Sequence, residues 1–188
     1  METDSLQHFF DCCLGNWEIE RTYHYLNQHL NQQEVERSRT KFNVKPLTPA
    51  LKTKVLQDNQ YCWDSEDERL TGFQLAFYTI SEKGDEVSQE LNALFVPKRG
   101  DAGILQGDYL RDKAYEEARP IVSHFQFSAN ERELLMTTHY TSVVSVDSIK
   151  QINPNLRIRQ ILNYHRPQEG EPLEKLVLAG FGVEQKVL

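Results

Sequence analysis

Asp147 to Tyr164 reads DSIKQINPNLRIRQILNY, and its centre is Asn153-Pro154-Asn155. Proline fixes φ at Pro154 and asparagine tolerates the backbone of a tight reversal, so this centre is a turn. The residues after it have the character of a strand, whose side chains alternate between two faces. Arg157 and Arg159 therefore share one face, with Leu156 and Ile158 on the other. A hairpin at this turn also brings Asp147 beside the arginine-bearing strand. Two readings are open from alternation alone. The arginines lie on a solvated outer face, as surface arginines do, or they face inward around an anion such as the carboxylates of a ligand. The neighbouring acid is likewise either a plain ion-pair partner or a proton donor.

Beyond this hairpin the last strand, Lys175 to Lys186, contains Leu176 to Val183, which is apolar on both faces and includes Ala179, Gly180 and Gly182. Glycine within a strand marks close approach or sharp coiling, which a closing barrel needs. Upstream, the spacing predicts strands over 72–81, 87–96, 104–111, 120–128, 133–140 and 143–152, with turns at 82–85, 97–103 and 129–130. The chain opens with helical spacing of Leu6, Phe9, Phe10, Cys13 and Leu14 over 5–14, ending at Gly15. Gly15-Asn16-Trp17 then leads into a strand over 17–26. A polar strand over 34–44 reads as an edge or a solvated hairpin partner, and Thr48-Pro49 starts a short helix within 46–59. A helix, Gly-x-Trp and a series of short strands predict one domain over 1–188. Its class is all-β: an antiparallel up-and-down β-barrel of the lipocalin and fatty-acid-binding type with a short N-terminal helix.

Bulk properties narrow the function. A net charge of −7 over 188 residues, with a pI near 5.4, argues against nucleic acid as a partner. No apolar run approaches the ~18 residues that a membrane-spanning helix requires, so integral membrane association is not expected. The acidic start METDSLQHFFDC lacks the basic-then-apolar pattern of a secretory signal. Cys12, Cys13 and Cys62 are odd in number and suit neither a disulfide framework nor a zinc site, so no metal is expected. Nothing matches a hydrolase triad or a phosphate-cradling loop.

The candidate site is thus the barrel interior. If Trp17 points inward, strand parity places Arg21 inside as well. A buried arginine requires an acid or an anionic ligand, so Arg21 is either a salt bridge at the floor or a ligand contact. His24 has the opposite parity and reaches the interior only across a bulge.

Several motifs carry a resemblance. Phe9-Phe10, Gly15-Asn16-Trp17 and Arg21-Thr22-Tyr23-His24 resemble the opening of the S-type phycobiliprotein chromophore lyases (CpcS/CpeS, with the sister subunit CpcU). The match continues through Tyr109-Leu110-Arg111-Asp112 with Ala114-Tyr115-Glu116-Glu117, then Thr137-Thr138-His139-Tyr140, and Asn153 to Arg159. The resemblance implies a barrel of about ten antiparallel strands. It also implies a lyase that binds a linear tetrapyrrole, phycocyanobilin or phycoerythrobilin, and attaches it by a thioether to a cysteine of a phycobiliprotein α or β subunit. The bilin is a substrate, and no cofactor is permanently bound. By motif, the resemblance makes Arg157 and Arg159 bilin-binding residues and assigns catalytic roles to Asp147 (an aspartate where glutamate is usual), Arg157 and His24. It makes Arg21 and Trp17 pocket residues. The family's tryptophan-bearing strand is here Gly72 to Thr79 without tryptophan, so aromatic walls are expected from Phe73, Phe77 or Tyr78. This departure leaves open a non-catalytic partner subunit or bilin chaperone, and beyond the family a generic small-ligand carrier. Homodimer and heterodimer with a sister lyase subunit are both open. Cytoplasm is expected for a cyanobacterial source and plastid stroma for an algal one.

Overall fold

In the computed structural model, which describes residues 2–27, 32–63, 70–101, 103–112, 117 and 119–187, ten strands close on themselves in chain order. They are β1 (Gly15–Asn27), β2 (Gln32–Pro46), β3 (Thr71–Ser81), β4 (Glu86–Asp101) and β5 (Ile104–Arg111), then β6 (Ile121–Ser128), β7 (Glu133–His139), β8 (Val143–Asn153), β9 (Leu156–His165) and β10 (Leu176–Val187). Every neighbouring pair is antiparallel, and β10 returns to pair with β1. The expected up-and-down barrel is what the chain forms. Of the motif residues, Ala114, Tyr115 and Glu116 lie outside the described residues.

One end of the barrel is plugged by α1 (Glu2–Cys13). Its apolar stripe, Leu6, Phe9, Phe10 and Cys13, is buried against Phe95, Phe125, Phe127 and Leu134 from the barrel wall. The Phe10 and Phe95 rings stand 4.7 Å apart, and the Trp17 indole N–H donates to the Cys13 carbonyl oxygen at 2.8 Å, tying the helix end to β1. Outside the barrel, α2 (Pro49–Asp58) begins where the Thr48 hydroxyl accepts from the Leu51 N–H. It buries Val55 against Leu94, Val96 and Leu110, the outward apolar residues of β4 and β5.

Two local expectations are revised. β2 is not an edge: it lies between β1 and β3 and turns Ser38, Thr40, Phe42 and Val44 inward. Its polarity reflects a barrel interior that is itself partly polar. β4 does not turn at Pro97 but continues to Asp101, and a register shift between Pro97 and Arg99 absorbs the proline's missing N–H. The glycines of β10 act as anticipated. A Cβ on Gly180 would lie 2.6 Å from Tyr23 Cδ1, and one on Gly182 would lie 2.5 Å from the Glu20 carbonyl oxygen.

Candidate functional site

The barrel encloses a cavity of about 590 Å³ running from the aromatic plug to the end where Tyr25, Glu36, Ser81 and Asp85 line it. Small-molecule sites fall at roughly 300–1,000 Å³. The floor is ionic. Glu184 of β10 is the register partner of Arg157 of β9, and the Arg157 Nη2 lies 2.5 Å from Glu184 Oε2. The Arg157 guanidinium also sits 4.0 Å from the centroid of Trp17, a cation over an aromatic face. One inward step along β9, Arg159 donates through Nε to Asp147 Oδ1 at 3.0 Å and through Nη2 to Asp147 Oδ2. Its Nη1 lies 3.7 Å from Glu184 Oε1.

This geometry decides between the two readings of the arginine strand. Arg157 and Arg159 face inward, Ile158 faces out, and the anions between the guanidiniums are the protein's own Asp147 and Glu184. The four charges cancel. Burial opposes the charge on Arg159, but the Asp147 and Glu184 carboxylates outweigh it and raise its pKa above the ordinary arginine value. Arg159 is therefore a fixed cation at the cavity edge.

Arg21 differs. It lines the cavity and donates through Nη1 to Tyr23 Oη at 3.3 Å, while its Nε is buried without a hydrogen-bond partner. No carboxylate among the described residues pairs with it. Arg111 occupies the wall formed by β5, donating to Tyr140 Oη at 2.5 Å with its guanidinium 5.4 Å from the Tyr109 ring centroid. Phe42, Phe73, Phe77 and Tyr109 supply aromatic walls, with Leu75, Leu91, Met136 and Ile149 between them.

The structure thus gathers Arg21, Arg159, Asp147 and Phe73 around one cavity, with Trp17 and Arg157 in the floor beneath it. Two expected residues lie elsewhere. β1 pairs with β2 and β10 without a bulge, so parity runs unbroken and His24 faces outward, stacked on Phe181 with ring centroids 5.8 Å apart. Tyr78 lies on the outer face of β3, where a hydrogen bond to Glu86 raises the pKa of its phenol. The sequence pattern does not single out Glu184 or Ser38, and Tyr109, Arg111 and Tyr140 stand there only within motifs. Among the described residues no group of three or more His, Cys, Asp or Glu side chains could hold a metal ion. No described helix is long and apolar enough to cross a membrane.

Three comparisons bear on this cavity. A family model described as CpeS-like protein matches residues 5–187. The chain is 59% identical over 180 residues to "Chromophore lyase CpcS/CpeS 1" of Synechococcus sp. (strain JA-3-3Ab), covering 96% of this chain and 95% of that protein. Its fold is similar to the solved S-type phycobiliprotein lyase CPES of Guillardia theta, with a TM-score of 0.74, 14% identity, and coverage of 100% of this chain and 96% of that one.

Proposed function

This chain belongs to the CpeS-like family, and from that membership we propose that the barrel is a chromophore lyase that binds a linear tetrapyrrole and attaches it to a phycobiliprotein cysteine. The observation that carries the reading is the composition of the cavity. Aromatic walls suit a conjugated chain of pyrroles, Arg21 offers a cation to a propionate, and the Asp147–Arg159 pair offers an acceptor and a donor to the pyrrole edge. A relative sharing 59% of its residues and bearing the name chromophore lyase supports the same reading.

The chemistry requires little of the protein's own nucleophiles. The acceptor thiol adds across the A-ring ethylidene of the bilin: a C–S bond forms, the exocyclic double bond is consumed, and the thiol proton finishes on the tetrapyrrole. The barrel contributes orientation, exclusion of water and proton management. Asp147, held by Arg159 at the cavity edge, accepts a pyrrole N–H and supplies or relays the proton. Arg157 acts from below by fixing Glu184 and Trp17 as the floor. Phycocyanobilin and phycoerythrobilin both carry the groups this cavity addresses, and either a phycobiliprotein α or β subunit offers the acceptor cysteine.

A second reading, a subunit supporting a catalytic sister, is favoured by β3, whose inward residues Phe73, Leu75, Phe77 and Thr79 include no tryptophan. One experiment separates the two. The protein is mixed with phycocyanobilin and an apo-phycobiliprotein subunit, with and without a sister lyase, and colour that survives denaturation is scored on the acceptor.

A further inference from the structure

Above the floor, a row of mutually opposed residues crosses five strands: Arg159 on β9, Gly182 on β10, Arg21 on β1, Ser38 on β2 and Ser81 on β3. Gly182 places no side chain between the two arginines. Ser38 is the direct cross-strand partner of Arg21, and such pairs hold their Cβ atoms roughly 4.5–5.5 Å apart. Ser38 is only 6% exposed and lines the cavity, yet its hydroxyl has no hydrogen-bond partner. Other buried hydroxyls in the wall are matched to one another: Thr40 to Thr79 at 2.8 Å, and Ser123 to Thr138 at 3.1 Å. A buried hydroxyl and a buried guanidinium N–H without protein partners carry a desolvation cost, and each can donate a hydrogen bond to an anion.

We propose that Ser38 and Arg21 together form the seat for one carboxylate of the cavity's ligand. The Ser38 hydroxyl and the Arg21 Nε–H each donate to a carboxylate oxygen, and the arginine supplies the charge. The opposite end of the row is already occupied, because Arg159 is engaged by Asp147 and Glu184. A ligand with both acid arms and pyrrole N–H groups is thereby oriented: a carboxylate goes to β1 and β2, and the N–H edge goes to Asp147 on β8. Ser38 is then a specificity-determining residue. The inference rests on the bilin-binding reading above and adds to it the side of the barrel on which a propionate lies.

The test compares phycocyanobilin with its dimethyl ester, using wild type and Ser38→Ala, by spectral titration. Hydrogen bonds to charged groups predict that Ser38→Ala loses roughly tenfold in affinity for the free acid. The ester should bind both proteins equally. The urea midpoint of ligand-free Ser38→Ala should equal or exceed that of wild type, because the lost hydroxyl had no partner. An equal loss for acid and ester, or no loss for either, overturns the seat while leaving bilin binding intact. If wild type binds neither compound, the seat and the bilin-binding reading fall together.

Discussion

Glu184 stands directly opposite Arg157 across the β10–β9 ladder, with Oε2 2.5 Å from Nη2 and neither side chain more than 4% exposed. The pair is the lower half of a neutral quartet completed by Asp147 and Arg159. Removing one member of a buried pair leaves the other as an uncompensated charge, a loss of about 3–5 kcal/mol. Glu184→Gln should therefore lower the free energy of unfolding in urea by roughly 3 kcal/mol, the low end of that range because the amide retains some polar contact. Replacing both partners with apolar residues, Glu184→Leu with Arg157→Met, should restore most of it. If the single substitution is silent, the floor is not ionic as described.

The upper half of the quartet borders the cavity, and substitutions there should separate binding from folding. Arg159→Ala and Asp147→Asn each remove a group that the proposed bilin-binding mode offers to the pyrrole edge, while the barrel's main-chain ladder is untouched. Bilin affinity should fall at least about tenfold in each, the scale of a lost charge-assisted hydrogen bond. Circular dichroism should show a folded β-protein. Unfolding of either variant at room temperature would make the pair structural rather than functional.

His24 and Tyr78 make the converse case. Both face outward, His24 against Phe181 and Tyr78 beside Glu86. His24→Ala and Tyr78→Phe should leave bilin affinity and transfer within about twofold of wild type, as surface substitutions do. A large loss of transfer with His24→Ala would restore the catalytic role that the family resemblance suggests for it.

The cysteines should differ in reactivity and be dispensable for chemistry. Cys62 is exposed, Cys12 is half-buried, and Cys13 is buried. Burial pushes the Cys13 thiol pKa up, against the pull of nearby Arg157. A thiol reagent at neutral pH should modify Cys62 first and Cys13 last, as mass spectrometry of the labelled protein would show. A Cys12→Ser, Cys13→Ala, Cys62→Ser variant should still transfer bilin. Retained binding with abolished transfer would mean that one of the protein's own thiols carries the bilin.

Much of this architecture was legible in the chain. The turn at Asn153-Pro154-Asn155 marks the β8–β9 hairpin, but the meeting of Asp147 and Arg159 also depends on a one-residue register shift between Gln151 and Asn153, which moves Asp147 onto the arginine face and which the turn residues do not encode. Parity from Trp17 placed Arg21 inside and His24 outside, and only the family resemblance drew His24 inward. Glu184 was illegible for a physical reason. Its strand is glycine-rich and apolar on both faces, so alternation gives no inward side, and a fully buried glutamate is rare unless paired. Its partner comes from another strand, which only the closed register reveals. β2 appeared solvated because Ser38 and Thr40 are polar, although they face an interior that is polar at that level. Arg111 and Tyr140 meet through contacts between β5 and the end of β7, a pairing that no local pattern encodes.

Bilin attachment is read out by transfer of phycocyanobilin from this protein to an apo-phycobiliprotein subunit, followed by absorbance and fluorescence before and after denaturation. A lyase with this cavity should give a spectral shift on mixing the bilin with the protein alone, reversible on denaturation, and a denaturation-resistant colour on the acceptor once it is added. A bilin spectrum unchanged by the protein, with no colour gained by the acceptor beyond the protein-free control, would contradict the lyase reading.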